Sequence, residues 1–381
     1  MSPFHLQTAG RGKMQIINYA AWIPTEKAPL EVGTAPYPDL GADEVIVKNR
    51  AVAVNPVDWK IQSWGGFGLK YPTVLGEDIA GEIVEVGKNV KALKKGDRVI
   101  AHALGMANGH AYGGFQLYPR LKAATVAKIP GGLKFTSAVV LPLSISTAAA
   151  GLYLKDNLGL EFPVLKKDVP QQIRDVDATT EPGAWTLVDV EKEKTKRPVL
   201  LLWGGSSSVG SSVIQLAVAS GYDVFTTASP ANYSYAKALG AALVLDYHNP
   251  DIVAILISLL KEHGAPVVGA YDSIGSETTV RQNAAVLHAL GGGKIATVGA
   301  APDGLPGDVK VGRIGSGNIV SQEGGVVAKK IWQEYVAAAL EEESFKPAPD
   351  ELVVGNGLYY VQGGLDRQKQ GVSAKKVVVT L

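Results

Sequence analysis

The segment 199–210, Val-Leu-Leu-Leu-Trp-Gly-Gly-Ser-Ser-Ser-Val-Gly, constrains the fold of this chain more than any other feature. Its apolar run predicts a buried parallel strand, its glycines predict a tight turn, and residues 209–219 predict a helix that begins at once. Unpaired N–H groups at such a helix start, together with the positive end of the helix dipole, bind a pyrophosphate group. The sequence therefore predicts an α/β fold with a Rossmann-type, doubly wound parallel sheet.

The turn departs from the usual glycine spacing at one position. In the pattern G-x-G-x-x-G, Gly205 is the first glycine and Gly210 the third, but Ser207 stands at the second. A side chain there lies where the backbone approaches a pyrophosphate most closely. An ordinary strand-to-helix turn also explains the pattern. The flanking sequence therefore has to decide whether the turn binds a dinucleotide.

The end of the next predicted strand, 222–227, bears on the choice of cofactor. It is followed by Ala228, where an NAD-selective site places a carboxylate for the ribose 2′-hydroxyl. A small neutral residue leaves room for the 2′-phosphate of NADP, which hydroxyl and cationic groups bind. Taken singly, Lys237 is typical of a solvated helix and Tyr247 of a strand end. Together with Ser229, they favour NADPH.

Charge balance and the absence of cysteine exclude several classes of function. Lys and Arg number 37 against 36 Asp and Glu, which gives no electrostatic footprint for nucleic acid or an anionic membrane. No cysteine is present, so disulfides and thiolate chemistry are excluded. The apolar runs fall short of the ~20 residues of a membrane helix, and residues 1–14 have no apolar core of the signal-peptide type. We therefore expect a soluble, cytoplasmic protein without nucleic-acid or membrane partners.

Hydrophobic patterning separates a β-rich part from an α/β part. Short alternating strands separated by Gly and Pro turns dominate residues 15–135. The α/β pattern predicts five parallel strands, at 199–203, 222–227, 242–246, 267–271 and 293–298, with helices at 209–219, 232–239, 251–262 and 278–288. A helix over 326–343 and a strand over 376–381 follow, and we expect that strand to rejoin the β-rich part.

The predicted domains are 1–145 with 341–381, and 146–340. Within the second, residues 155–197 include 17 charged residues among 43, against 19% in the whole chain. Such a segment should be exposed. A solvated surface excursion and a lid over the cleft both remain open.

Motifs along nearly the whole chain resemble one family. They are Asn55-Pro-Val-Asp58, Leu75-Gly-Glu-Asp-Ile-Ala-Gly81, Lys95-Gly-Asp-Arg-Val99, Leu141-Pro-Leu-Ser144, Tyr271-Asp-Ser-Ile-Gly275 and Val372-Ser-Ala-Lys-Lys376. The chain resembles the zinc-independent medium-chain dehydrogenase/reductases, in the quinone oxidoreductase family, and within it the fungal trans-acting enoyl reductases that act beside polyketide synthases. The resemblance implies a GroES-like β-rich catalytic domain built from both chain ends, a Rossmann domain between them, and an active site in the cleft.

The resemblance also bears on whether the chain binds a catalytic metal ion. In zinc-dependent relatives, a cysteine near Asn55 and a Gly-His-Glu sequence at 76–78 bind the catalytic ion, whereas this chain has no cysteine and has Gly-Glu-Asp there. We therefore expect no metal. The alternative, a catalytic zinc site, requires the side chains of Glu77, Asp78, His102 and His110 to lie together around one ion.

Without a metal, hydride should go to a carbon already made electrophilic by conjugation, as in an enone or a quinone. Positions in the family then imply catalytic roles for Asn55, Asp58 and Lys60, of which Lys60 is the best single candidate; a surface ion pair of Lys60 with Asp58 is the alternative. The residues implied in an apolar substrate pocket are Trp59, Trp64, Phe67, Tyr71 and His110. Packing of the domain explains the aromatic residues equally well.

The cofactor contacts implied by the resemblance form four groups. They are Gly205, Ser206, Ser207, Ser208, Val209 and Gly210 at the pyrophosphate; Ser229, Lys237 and Tyr247 at the 2′-phosphate; Ile274, Gly275, Val298 and Gly299 near the nicotinamide ribose; and Lys375, which would close the site.

Three functions remain open at this point. The first is an NADPH-dependent reductase of activated double bonds, with a small hydrophobic unsaturated substrate and a polyketide synthase as a partner. The second is a quinone reductase. The third is a sensor or structural protein that binds NADPH without turnover. Both a monomer and a homodimer are compatible with the sequence, and the glycine-rich stretch 303–317 is either part of a sheet edge or a surface loop.

Overall fold

The computed structural model describes residues 16–168 and 196–381. The expectations for residues 1–14 and for the greater part of the charged segment 155–197 therefore lie outside the described residues. The described chain forms one parallel sheet, one larger mixed sheet and one small antiparallel sheet.

The parallel sheet has six strands in the order β11-β10-β9-β12-β13-β14. The strands are β9 (Val199–Trp203), β10 (Asp223–Ala228), β11 (Leu243–Asp246), β12 (Val267–Asp272), β13 (Gly293–Thr297) and β14 (Val309–Arg313). The order reverses at β9, as in a doubly wound sheet. Loops that follow β9 and its neighbours therefore meet at one edge of the sheet.

Strand β9 shows why this sheet is covered on both faces. Leu200 and Leu202 pack into one hydrophobic cluster, whereas Val199, Leu201 and Trp203 pack into another. Successive side chains of a strand point to opposite faces, so a run of five apolar residues requires a helical layer on each side. The layers include α5 (Ser208–Ala219), α6 (Tyr233–Ala238), α7 (Ile252–His263) and α8 (Glu277–Ala289).

Nine predicted segments between 199 and 298 agree with the structure to within one residue at each end. The prediction of five strands was wrong, because β14 adds a sixth. This strand lies within the glycine-rich stretch 303–317 and pairs in parallel with β13. Its five residues carry too little periodicity to stand out, and the exposed edge of β13 supplies the missing partner.

The mixed sheet has seven strands, in the order β15-β16-β3-β5-β6-β8, with β7 also paired to β3. The strands are β3 (Glu44–Val54), β5 (Asp78–Val86), β6 (Arg98–His102), β7 (Arg120–Lys122), β8 (Val126–Lys128), β15 (Asp350–Asn356) and β16 (Lys375–Thr380). The C-terminal strand β16 pairs antiparallel with β3, so the chain end does rejoin the β-rich part. The three-stranded sheet contains β1 (Asn18–Ile23), β2 (Glu31–Ala35) and β4 (Thr73–Val74).

Helices complete the connection between the sheets. In the β-rich part they are α1 (Pro56–Trp64), α2 (Gly105–Asn108), α3 (Phe135–Ala138) and α4 (Pro142–Tyr153), and near the end of the chain they are α9 (Asn318–Ser321), α10 (Val326–Ala328), α11 (Val336–Glu341) and α12 (Val361–Lys369). The single helix expected over 326–343 is interrupted by a π-helical turn at Lys329–Tyr335. Inside this turn, Trp332 is buried and its indole N–H donates to the Ser146 hydroxyl at 3.0 Å.

Helix α4 joins the two sheets and lies at the centre of the core. By length and composition the stretch Phe135–Tyr153 could cross a membrane, but 83% of it is buried inside the protein. The hydroxyl of Ser144 lies 2.8 Å from that of Ser212 in α5, and the carbonyl of Thr147 accepts from the Tyr271 hydroxyl at 2.8 Å. Its apolar composition is therefore explained by packing between the sheets.

Candidate active site at the junction of the sheets

The turn after β9 requires glycine at both ends of the motif. A Cβ atom on Gly205 would lie 2.4 Å from the hydroxyl oxygen of Thr226, and one on Gly210 would lie 2.2 Å from the carbonyl oxygen of Gly204. The first approach would displace the buried Thr226 side chain, and the second would require movement of the backbone. Helix α5 is thus held against the turn, with its first N–H groups directed out of the sheet edge.

Ser207 caps helix α5. Its hydroxyl accepts from the backbone N–H of Gly210 at 2.9 Å and donates to Ser273 at 3.0 Å. The hydroxyl oxygen of the next residue, Ser208, is buried and has no hydrogen-bond partner among the described residues. An unsatisfied hydroxyl at a helix N-terminus fits an anionic group such as a pyrophosphate, while Ser206 and Val209 are half-buried beside it.

Asp272, to which the sequence analysis assigned no role, organises the neighbouring loop. One of its carboxylate oxygens accepts from the N–H groups of Ile274 and Gly275, at 3.0 and 3.1 Å. The other accepts from the hydroxyls of Thr279 and Thr297, at 2.9 and 3.2 Å. Asp272 is completely buried, and its place at the end of a predicted apolar strand is the signal that could have identified it.

The two loops predicted near the nicotinamide ribose do lie together. A Cβ atom on Gly275 would be 2.6 Å from the backbone nitrogen of Gly299, and Val298 donates its N–H to the carbonyl of Asp272 at 3.1 Å. Ile274 is 47% exposed, yet its side chain passes over Gly204 in the turn after β9. The structure therefore collects these predicted residues along the carboxyl ends of β9, β12 and β13.

The end of β10 carries no carboxylate at Ala228. The hydroxyl of Ser229 accepts from the Asn232 amide at 3.1 Å, and the same amide donates to Ser373 at 3.1 Å. Lys237 is exposed on α6 and makes no ion pair within the described part of the chain. The Asn232 amide is thus committed to these two hydroxyls, whereas the Lys237 ammonium on the following helix is an uncommitted donor within the described ranges.

Tyr247 is 45% exposed after β11, and its ring stacks on His248 with a centroid separation of 4.0 Å. His248 in turn lies 2.7 Å from the carboxylate of Asp246. No direct contact joins Tyr247 to Ser229 or to Lys237 within 16–168 and 196–381. Their predicted sharing of one phosphate remains a prediction.

Lys375 and Lys376 have opposite environments, although they are neighbours at the start of β16. Lys375, the predicted cofactor contact, forms an exposed ion pair with Asp350 at 2.8 Å. Lys376 is only 3% exposed, and its ammonium lies 2.8 Å from the carboxylate of Asp78. Alternation along the strand places the second lysine inside, a residue that sequence reasoning missed.

Asp78 is the centre of a buried polar network. One carboxylate oxygen contacts Lys376 and accepts from the Asn55 side-chain amide at 2.7 Å, and the other accepts from the Leu143 N–H at 2.6 Å. Lys376 also donates to the carbonyl oxygen of the Asn55 side chain. The strand register explains why these side chains meet. Strands β16, β3, β5 and β6 are adjacent, and Asp78 lies opposite His102.

Asp58 is buried beside this network. Its two carboxylate oxygens accept from the N–H groups of Asn55 and Gly76, at 2.8 and 3.2 Å. Burial, reinforced by the negative charges of Glu77 and Asp78, raises the pKa of the Asp58 carboxyl to about 8, although the hydrogen bond from Asn55 opposes the change. The side chains of Asn55 and Asp58 are therefore committed to internal hydrogen bonds, and their predicted contact with substrate remains a prediction.

The donor set near Asp78 does not fit a catalytic zinc ion, which binds three protein ligands around an open position. The carboxylate of Asp78 is already neutralised by an ammonium group. Of the four residues considered for a metal, Glu77 and His102 approach at 3.1 Å, whereas the exposed His110 instead packs on Trp22, with a centroid separation of 5.3 Å. In the part of the chain that the structure describes, no three His, Cys, Asp or Glu side chains are grouped for a metal.

Lys60 lies on the opposite side of α1 from Asp58. The predicted alternative of an ion pair between them was wrong, since Asp58 is buried in its own hydrogen bonds. The ammonium of Lys60 lies 5.8 Å from the ring centroid of Trp59 and 5.4 Å from that of Trp64. Cation–π contacts of this kind hold a lysine at an aromatic surface without neutralising its charge.

The other predicted pocket residues differ in exposure. The rings of Trp59 and Trp64 meet edge to face at 5.6 Å, and Trp64 is 57% exposed. Phe67 is exposed and Tyr71 is half-buried. No ring contact joins His110 to this group within the described ranges. The structure therefore brings together only part of the predicted substrate pocket.

Two protein families match the chain, each over one of the two sheets. Residues 41–131 match the alcohol dehydrogenase GroES-like domain, and residues 208–341 match a family described as zinc-binding dehydrogenase. Together the matched segments cover all of β3 to β8 and five of the six strands of the parallel sheet.

Curated relatives are similar over nearly the full length. The chain is 40% identical to dehydrogenase pigH of Monascus ruber, over 96% of this chain and 99% of the relative. It is 38% identical to trans-enoyl reductase himH of Aspergillus japonicus, over 96% of this chain and 98% of the relative.

Solved structures share the architecture at low sequence identity. The CurK enoyl reductase superposes with a TM-score of 0.68 at 18% identity, over 95% of this chain and 99% of that one. The Escherichia coli quinone oxidoreductase, solved in complex with NADPH, superposes with a TM-score of 0.67 at 19% identity, over 96% of this chain and 100% of that one. These likenesses show the same two-part fold.

Proposed function

Because the chain belongs to the medium-chain dehydrogenase/reductase family, we propose that it is an oxidoreductase that uses NADPH to reduce a carbon–carbon double bond conjugated with a carbonyl group. One observation carries the proposal. A glycine turn after β9, where the Ser208 hydroxyl has no partner among the described residues, is combined with a buried Lys376–Asp78 ion pair; the resemblance matches the segment 76–78 to the metal-binding sequence of zinc-dependent relatives. A site of this kind needs a substrate that is already activated.

NADPH is the cofactor we propose. Ser208 and the first turn of α5 would bind its pyrophosphate, and Ser229, Lys237 and Tyr247 would bind its 2′-phosphate. The NADPH complex of the similarly folded E. coli enzyme supports a nicotinamide cofactor, and the absence of a carboxylate at Ala228 supports the phosphorylated form. When bound, the reduced nicotinamide supplies the hydride.

The residues of α1 provide the remaining chemistry. The ammonium of Lys60, held over Trp59 and Trp64, would stabilise the negative charge that develops on the carbonyl oxygen of the substrate. The aromatic rings would exclude water from one side of the double bond and pack against an apolar acyl chain. The proton that completes the reduction comes from water in this proposal.

The substrate we propose is an unsaturated thioester or ketone of the polyketide type. Two observations support it: the similarity to trans-enoyl reductase himH, and the exposed aromatic surface beside Lys60. A polyketide synthase would then present the acyl chain. Cytoplasmic location and activity as a monomer or homodimer complete the proposal.

The test measures NADPH oxidation by the purified protein with a panel of enones, enoyl thioesters and quinones, and measures NADH in parallel. We expect turnover of enoyl substrates and little use of NADH. Higher activity on quinones than on any enoyl compound would instead support a quinone reductase, and tight binding of NADPH without turnover would support a sensor. Stoichiometric zinc in the same active sample would contradict the metal-free mechanism.

Lys60→Met tests the role of the ammonium. Loss of one preorganised donor typically reduces kcat by about 100-fold or more. Lys91→Met, at an exposed lysine whose ammonium donates to the carbonyl of Lys88, is the matched control and should retain full activity. A Lys60→Met protein with unchanged kcat would remove Lys60 from the mechanism.

A further inference from the structure

The buried ammonium of Lys376 takes no part in the hydride transfer and protonation proposed above. It is 3% exposed and contacts two side chains, those of Asp78 and Asn55. A lysine is rarely buried unless it is paired, because its charge loses solvation. The position of this charge therefore requires an explanation.

We propose that Lys376 is a positioning residue, whose ammonium holds Asn55 and Asp78 together and thereby sets the position of helix α1 and of Lys60 in the active site. The proposal rests on the proposed function insofar as Lys60 acts on the substrate. The geometric part, that Lys376 holds α1 in place, does not depend on the reaction.

The contacts lead directly from Lys376 to the start of α1. Both ends of the Asn55 side chain are engaged, since its carbonyl oxygen accepts from Lys376 and its amide donates to Asp78. Asn55 is the residue before the first residue of α1, and its own N–H donates to Asp58 inside that helix. Removal of the ammonium would free one end of Asn55 and leave the Asp78 charge without its partner.

The same carboxylate also reaches the other sheet. The second oxygen of Asp78 accepts from the N–H of Leu143 in the first turn of α4. One residue later, the hydroxyl of Ser144 contacts that of Ser212 in α5, the helix that follows the dinucleotide turn. A chain of short polar contacts therefore joins Lys376 both to α1 and to α5.

The balance of charge makes this ammonium hard to replace. The carboxyl groups of Asp58, Glu77 and Asp78 all lie in this buried region, and Glu77 is paired with His102 at 3.1 Å. Lys376 is the buried lysine that faces them, and its ammonium is 2.8 Å from Asp78. A fixed cation supplied by the chain is thus held between the side chains of Asn55 and Asp78.

The experiment compares Lys376→Met with Lys128→Met. Lys128 lies in the same sheet and forms a partly exposed ion pair with Asp97 at 3.1 Å, so its substitution controls for loss of a surface charge. We expect Lys376→Met to reduce kcat by about 10- to 100-fold, as displacement of a reacting group does, while the Kd for NADPH changes by less than about threefold. Lys128→Met should leave both values unchanged.

A double variant, Lys376→Met with Asp78→Asn, separates positioning from charge balance. Removal of both charges should restore the melting temperature, but kcat should remain low because Asn55 has still lost its cationic partner. The proposal is overturned if kcat is unchanged in folded Lys376→Met. It is equally overturned if kcat recovers with the melting temperature in the double variant, because Lys376 would then serve only to neutralise Asp78.

Hydrogen exchange keeps this test independent of the reaction. Amides of residues 57–64 should exchange about 10-fold faster in Lys376→Met than in the unaltered protein or in Lys128→Met, since the start of α1 loses its anchor. If the unaltered protein reduces no acceptor, the proposed function fails, but this measurement still decides the position of α1. Unchanged protection of residues 57–64 would refute the positioning role.

Discussion

Replacement of Asp58 by asparagine should change how the stability of the protein depends on pH. The Asp58 carboxyl is buried, and its pKa rises from the usual 3.8 to about 8. The folded protein then retains a proton on Asp58 over a range of pH in which the unfolded chain has released it. The stabilising contribution is therefore fully present below about pH 4 and is lost as the pH rises towards 8.

The size of this effect follows from the two pKa values. They differ by about 4, and each unit corresponds to about 1.36 kcal/mol, so Asp58 alone lowers the free energy of unfolding by on the order of 5 kcal/mol between pH 4 and pH 8. The charges of Glu77 and Asp78 contribute to the raised pKa, and the ammonium of Lys376 reduces it. An asparagine side chain at this position cannot ionise, so the Asp58→Asn variant should lose this dependence.

Urea unfolding at intervals from about pH 5 to about pH 8.5 measures the difference between the two proteins. We expect the unaltered protein to become less stable relative to Asp58→Asn as the pH rises, with the two profiles converging or crossing towards pH 8. Glu277→Gln, at an exposed carboxylate paired with Arg281, should give a profile parallel to that of the unaltered protein. Parallel profiles for Asp58→Asn as well would refute the assignment of a raised pKa to Asp58.

Two further predictions concern the dinucleotide site. Gly210→Ala should weaken NADPH binding at least about 10-fold and destabilise the protein by about 1–3 kcal/mol, because the new Cβ would lie 2.2 Å from the Gly204 carbonyl. Gly363→Ala is its control in calorimetric titration and thermal unfolding, because the new Cβ would meet nothing within 4 Å among the described residues outside its own helix. Lys237→Ala should raise the Kd for NADPH about 10-fold and leave that for NADH unchanged; an equal change for both cofactors would exclude Lys237 from the phosphate site.

Local periodicity predicted the α/β part of the chain closely. The segments between 199 and 298 alternate apolar strands with helices, and each signal lies within about a dozen residues, so no knowledge of distant contacts is needed. The same reasoning missed β14, whose five residues acquire their structure from pairing with β13. It also extended one helix through Lys329–Tyr335, where a π-helical turn brings Trp332 to Ser146.

The candidate site was predictable where its residues follow a local motif. The turn from Gly205 to Gly210 is one short segment, and its glycines are required by contacts of less than 3 Å. The roles of Asn55 and Asp58 were not predictable in the same way. Their identity is visible in the motif and they share one local hydrogen bond, but their other hydrogen bonds go to Asp78, Lys376 and Gly76, which are distant in sequence.

The sequence by itself determined the doubly wound sheet and the glycine turn after β9, because each depends on residue types at short spacing. Only the tertiary structure decided that Lys376, rather than the predicted Lys375, enters the buried network with Asp78. The reason is the register of β16 against β3. Side chains of a strand alternate between faces, so a shift of one residue would exchange the two lysines, and nothing local to the segment specifies that register.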